Sequence, residues 1–151
     1  TDADGDFREV IDLAPLLELG DRQPVDVQLV GFSVDQGGSI YFTIPVLFSA
    51  YRLSPDRKLE SFGRPGSAPG RFGVIAGIVA DSRGRVFVAD KLKSVVMVFD
   101  KTLTFLAEFG YRGLGPANLV VPSELAIDGR DRLYVTQARK RGVSVFALSG
   151  E

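Results

Sequence analysis

A set of landmarks recurs along this chain at intervals of 46 or 47 residues, and no other feature restricts its fold as strongly. Gly31-Phe32-Ser33-Val34-Asp35 precedes Gly37-Gly38-Ser39-Ile40-Tyr41-Phe42. Gly77-Ile78-Val79-Ala80-Asp81 precedes Gly84-Arg85-Val86-Phe87-Val88. Leu125-Ala126-Ile127-Asp128 precedes Asp131-Arg132-Leu133-Tyr134-Val135. The closing aspartates and the aromatics Tyr41, Phe87 and Tyr134 keep the interval, 46 and then 47; Phe62-Gly63 and Phe109-Gly110 recur at 47, as do Phe99 and Phe146. Such a period across 151 residues means about three copies of one supersecondary unit, none of which can bury its apolar surface alone.

Each unit reads as short strands between turns. In the second unit the strands fall over Gly77–Ala80, Val86–Ala89, Ser94–Phe99 and Leu103–Phe109. They are rich in Val, Ile and Phe and bounded by turn residues such as Asp81-Ser82-Arg83-Gly84. No segment carries a convincing helical period. Four short strands per repeat of this length describe a β-propeller blade, so the expected class is all-β, with four antiparallel strands per blade.

Trp-Asp repeats need a tryptophan, which this chain lacks, and kelch blades also usually carry one. The stretch Phe62-Gly63-Arg64-Pro65-Gly66, Gly70-Arg71-Phe72, Gly77 to Asp81, Gly84 to Asp90, Val96 to Asp100 and Phe105 to Gly110 resembles the NHL repeat, element by element and in order. The third unit matches from Pro122 to Phe146. The first is looser, with Ile44-Pro45 in place of the usual aspartate. The resemblance runs from about Val25 to Glu151. It implies blades of a ring that typically has six, hence half a ring here. It further implies a scaffold, sensor or ligand binder, and a bacterial cell-envelope setting, periplasmic or extracellular ahead of cytoplasmic.

The expected organisation is an N-terminal segment over residues 1–24, then blades over 25–63, 64–110 and 111–151, all in one propeller domain. The third blade ends after its third strand, at Val143–Leu148. Phe7–Leu13 sits where a fourth strand belongs, so the strands read as circularly offset by one. Three completions remain open: a second copy, a continuation of the chain, or another protein. An uncovered end would expose an apolar face and unpaired strand edges. The candidate assembly edge is therefore Val143, Val145 and Phe146 together with Val10 and Ile11, and the expected partners are proteins or a second copy.

The residue inventory excludes much chemistry. The chain has no histidine and no cysteine, which removes the commonest general base, the commonest transition-metal ligands and any thiolate nucleophile. No catalytic residue, cofactor or metal ligand is expected. A propeller lyase of the kind using metal-bound histidines is excluded in that form. A calcium-dependent propeller hydrolase would need Glu, Asp and Asn converging on the channel, and Asn118 is the only asparagine. Formal net charge is −1, so no global field draws the chain to nucleic acid or anionic membrane.

Four local features remain. Lys91 and Lys93 in one loop, with Arg139, Lys140 and Arg141 in the equivalent loop of the next blade, form a candidate patch for an anionic partner, nucleic acid included. Exposed cations are more often a solvated face. Asp35, Asp81 and Asp128 form a possible carboxylate ring, but are read first as turn caps. Asp2-Ala3-Asp4-Gly5-Asp6 fails the EF-hand pattern, with Leu13 where glutamate is needed. Val46, Leu47 and Phe48 form a candidate apolar contact loop, to be covered by Leu13–Leu19 or by a partner.

Overall fold

In this computed structural model, residues 5–17, 27–138 and 142–148 are described. Among the described residues, eleven strands form three antiparallel sheets. Blade 1 contains β1 (Phe32–Val34), β2 (Ile40–Ile44), β3 (Ser49–Leu53) and β4 (Leu59–Phe62). Blade 2 contains β5 (Ile75–Ala80), β6 (Val86–Asp90), β7 (Val95–Phe99) and β8 (Phe105–Gly110). Blade 3 contains β9 (Pro122–Ile127), β10 (Arg132–Gln137) and β11 (Val143–Ala147). Within each sheet the strands follow chain order as a meander. The fold is thus all-β, a partial β-propeller with two complete blades and a third of three strands.

Strand alternation separates two faces on every blade. Tyr41 and Ala50 of blade 1 pack against Ile75, Ile78, Val88 and Met97 of blade 2. The opposite face of blade 2, Val79, Phe87 and Val96, packs against Leu133 and Val135 of blade 3, with Leu125 and Phe146 at the margin. Blade 2 is therefore buried on both sides, which explains its unbroken apolar strands (β7 reads Val-Val-Met-Val-Phe).

The turn-cap reading of the repeated aspartates describes their geometry. Asp81 Oδ1 accepts the backbone amides of Arg83 (3.0 Å) and Arg85 (2.9 Å), and its Oδ2 accepts the Arg85 guanidinium (2.7 Å). Asp128 does the same for Arg130 and Arg132 and also accepts the Tyr134 hydroxyl (2.9 Å). The Arg132 amide and then its guanidinium hold the Asp128 carboxyl well below the usual carboxylate range. In blade 1 the Asp35 carboxylate accepts the Ser39 amide and the hydroxyl of buried Tyr41 (2.9 Å each).

Burial first, and the Asp35 hydrogen bond second, push the Tyr41 hydroxyl from 10.0 up to about 12. A raised folded-state value contributes stability that is complete below the unfolded value and is lost as pH rises through the folded one. Denaturation midpoints should therefore fall between pH 10 and about 12. Tyr41→Phe should flatten that decline in urea titrations across the window.

The strand expected over Phe7–Leu13 does not form; this segment joins no sheet. Phe7, Ile11 and Leu13 fall on one face of an extended chain and Val10 on the other, so the period alone allows a strand, and tertiary packing decides otherwise. Instead Ile11, Leu13 and Leu17, with Val27, pack on Phe42, Ile44, Tyr51 and Leu53, the face of blade 1 turned away from blade 2. A short 3-10 turn, Ala14–Leu16, shapes the segment there.

Candidate binding surfaces

The two blade–blade junctions share one geometry. Gly31 lies so close to blade 2 that a Cβ would sit 2.1 Å from the Ala76 carbonyl oxygen, and a Cβ on Gly77 would sit 2.6 Å from the Ser123 carbonyl oxygen of blade 3. At the first junction, Thr43 Oγ1 accepts the Gly31 amide (2.8 Å) and donates to the Ala76 carbonyl (2.7 Å), a buried bridge from blade to blade.

Blade 3 presents the same face with no further blade on it among the described residues. Ala126, Tyr134, Val143 and Val145 occupy the repeat positions of Val79, Phe87, Val96 and Val98, which receive blade 3. Tyr134 pairs with Ala126 on one side and Val145 on the other, so the three form one row. Val143 and Val145 are 55% and 53% exposed. Thr136 repeats Thr43: its hydroxyl oxygen accepts the Glu124 amide at 2.9 Å, while its own proton reaches the Glu124 carbonyl at 3.5 Å. Glu124 itself stands where Gly31 and Gly77 stand.

β11 is the last strand of its sheet, whereas β3 and β7, its equivalents, are each followed by a fourth strand. Between β8 and β11 lies an apolar groove of about 560 Å³, lined by Phe87, Val98, Leu106, Phe109, Phe146 and Leu148. The five residues of the candidate assembly edge are therefore not one cluster. Val143 and Val145 face outward on blade 3. Phe146 turns inward against Phe109, ring centroids 4.9 Å apart. Val10 and Ile11 belong to the segment on blade 1, Val10 exposed and Ile11 partly covered.

The loop ends of blades 1 and 2 form a second apolar surface. Leu47 packs inward, in the cluster that contains Ile11, Leu13 and Leu17, while Val46 and Phe48 stay partly exposed. Phe48 is held in the left-handed region (φ 52°), a costly conformation for a bulky residue. It borders a cavity of about 630 Å³ with Phe72, Val74, Leu92, Val95 and Tyr111.

Lys93 also lines that cavity, and its charge is spent internally. The ammonium donates to the carbonyls of Ala68 and Arg71 (2.9 Å each) and to Glu108 Oε1 (3.0 Å), in an ion pair only 9% and 4% exposed. Of the candidate anionic patch, Lys93 is thus turned in and Lys91 is half-buried, and Arg139, Lys140 and Arg141 lie outside the described residues, as does most of Asp2-Ala3-Asp4-Gly5-Asp6. Leu92, between the two lysines, is the residue that projects, 68% exposed.

Buried Asp90 was not singled out from the sequence. Its carboxylate accepts four backbone amides, from Gly73 (2.6 Å), Val74 (3.1 Å), Leu92 (3.0 Å) and Lys93 (3.0 Å), and so ties two loops together. Gln137, its equivalent in blade 3, accepts the Val120 amide and donates to Ser144. The aspartate that the NHL resemblance places after the second strand, present here only in blade 2, was the available signal.

No family model and no curated protein sequence matches the chain. Solved structures do. Virginiamycin B lyase from Staphylococcus aureus aligns with a TM-score of 0.58 at 12% identity, over 89% of this chain and 45% of that one. A catalytically inactive form of that enzyme with quinupristin aligns at 0.56 and 13% identity, over 86% and 44%. Regucalcin from Agrobacterium tumefaciens, a calcium-binding protein, aligns at 0.56 and 22% identity, over 75% and 39%. The chain spans less than half the length of these structures, and at such identities the likeness shows the propeller fold alone.

Proposed function

We propose that this chain is a non-catalytic interaction and assembly module of the NHL-repeat type, which docks protein surfaces on the outer face of blade 3. The observation that carries this reading is the repetition of one docking face. Tyr134, Val143 and Val145 stand where Phe87, Val96 and Val98 hold a neighbouring blade. The non-catalytic part rests on composition and geometry: histidine and cysteine are missing, and the carboxylates repeated along the chain are committed to turn amides and arginines. The anionic-ligand alternative is weakened because Lys93 is neutralised by Glu108.

Sedimentation equilibrium over a dilution series tests the reading, with a second copy as the probe partner. The chain should associate reversibly, and Val145→Asp should lower the association constant at least about tenfold, because a carboxylate would be buried against apolar side chains. A folded monomer at every concentration, or association indifferent to Val145→Asp, would overturn it.

A further inference from the structure

The stack of blades is closed at one end by its own chain. Phe42, Ile44, Tyr51, Leu53 and Leu59 of blade 1 are the repeat equivalents of Val88, Asp90, Met97, Phe99 and Phe105 of blade 2. In blade 2 that face, with Val88, Met97 and Phe99 in the shared core, seats against the preceding blade. In blade 1 the face is buried without a blade on it among the described residues: Tyr51 is 7% exposed and Phe42 and Ile44 are fully covered. The cover is the segment containing Ile11, Leu13 and Leu17, together with Val27.

This cover differs from a blade in how it is held. A blade extends a four-stranded sheet of its own across the junction; Ile11–Leu17 joins no sheet. Its polar ties are local or solvent-exposed. Asp12 accepts the Ala14 amide (3.1 Å), and Glu9 pairs with Arg57 at 2.8 Å, with side chains 60% and 46% exposed. Exposed pairs of that kind contribute little. Phe7 and Val10, at 78% and 79% exposure, remain outside the contact.

The two ends of the stack are complementary by construction. Blade 3 offers the face that blades 1 and 2 use to receive a successor; blade 1, beneath the segment, offers the face that blades 2 and 3 use to seat. Two copies joined blade 3 to blade 1 at both contacts would make a closed six-bladed, two-fold ring. We propose that Ile11–Leu17 is an intramolecular stand-in for a neighbouring blade, occupying the blade 1 face that fits blade 3 of a second copy, so that two copies join head to tail only when the segment lifts away. Glu124, in a glycine position, keeps the inner strands of that junction further apart and leaves most of the contact to the outer strands. The inference rests on the proposed role of the blade 3 face.

Two full-chain experiments test it. In sedimentation equilibrium, Leu13→Asp with Leu17→Asp should strengthen self-association at least about tenfold, and adding Val145→Asp should cancel the gain. If Val145→Asp weakens association in the parent chain but the double variant, folded by near-ultraviolet circular dichroism, associates no better, the stand-in is wrong while the docking face survives. If the double variant does not fold, a nitroxide on Asp12→Cys, the only cysteine in that chain, decides the matter. Its spectrum should gain a mobile component as associated protein accumulates. An unchanged spectrum in the associated state overturns the proposal.

Discussion

Lys93→Ala is expected to destabilise the fold by about 3–5 kcal/mol, because removing one partner of a buried ion pair leaves the other charge uncompensated. The abandoned group is Glu108, 4% exposed, and two backbone carbonyls lose a charged donor at the same time. The change also loosens the loop over Gly66–Arg71, which Lys93 ties to β8. Urea denaturation at neutral pH measures the loss directly. Lys91→Ala, one turn of loop away and half-buried without such a network, should stay within about 0.5 kcal/mol. Equal, small effects at both positions would mean that Lys93 is an ordinary solvated cation, and would return it to the candidate anionic surface.

Gly31→Ala is the second large effect, and it acts at a junction between blades. The added methyl would lie 2.1 Å from the Ala76 carbonyl oxygen and 2.9 Å from Thr43 Oγ1, so the backbone of blade 2 must retreat and the Thr43 bridge must stretch. Overpacking of this kind costs about 1–3 kcal/mol in side-chain cores, and here the neighbour is backbone, so the upper end is expected. Thermal unfolding of both variants checks this, and alanine at Gly129, where nothing lies within 4 Å, should be nearly neutral beside it. A neutral Gly31→Ala would show that the junction tolerates a wider spacing. In that case Glu124 would place no restriction on what seats against blade 3.

The repeat made most of the architecture legible. Aspartate-headed turns and glycines at 84 and 110 marked strand ends of blade 2 to within a residue or two; β8 begins at Phe105 instead of Leu103, and β5 at Ile75 instead of Gly77. The register shift between Ile75 and Ile78 explains the early start of β5, since a bulge breaks the period-two pattern. The candidate surfaces were less legible. Val143 and Val145 were found because they continue a periodic pattern. Lys93 and Glu108, by contrast, lie 15 residues apart, and nothing local in Lys-Leu-Lys announces that one lysine turns inward. The N-terminal segment misled for a similar reason: its position in the repeat count and the shared face of Phe7, Ile11 and Leu13 both favour a strand, yet it packs on blade 1 without joining a sheet. Whether it stacks on its own blade or reaches another chain is decided by which apolar face is nearer, a property of tertiary structure.

The doubly buried middle blade has a consequence for how the molecule comes apart. Among the described residues, the apolar contacts of blade 3 are shared with blade 2 alone, whereas blade 2 shares a core on each side. In a linear array with nearest-neighbour coupling, terminal units open at lower free energy than interior ones. Backbone amides of β6 and β7 are then exposed only by global unfolding, while β11 frays by local excursions. The strand best placed to meet a partner is thus also the one whose order depends most on meeting it.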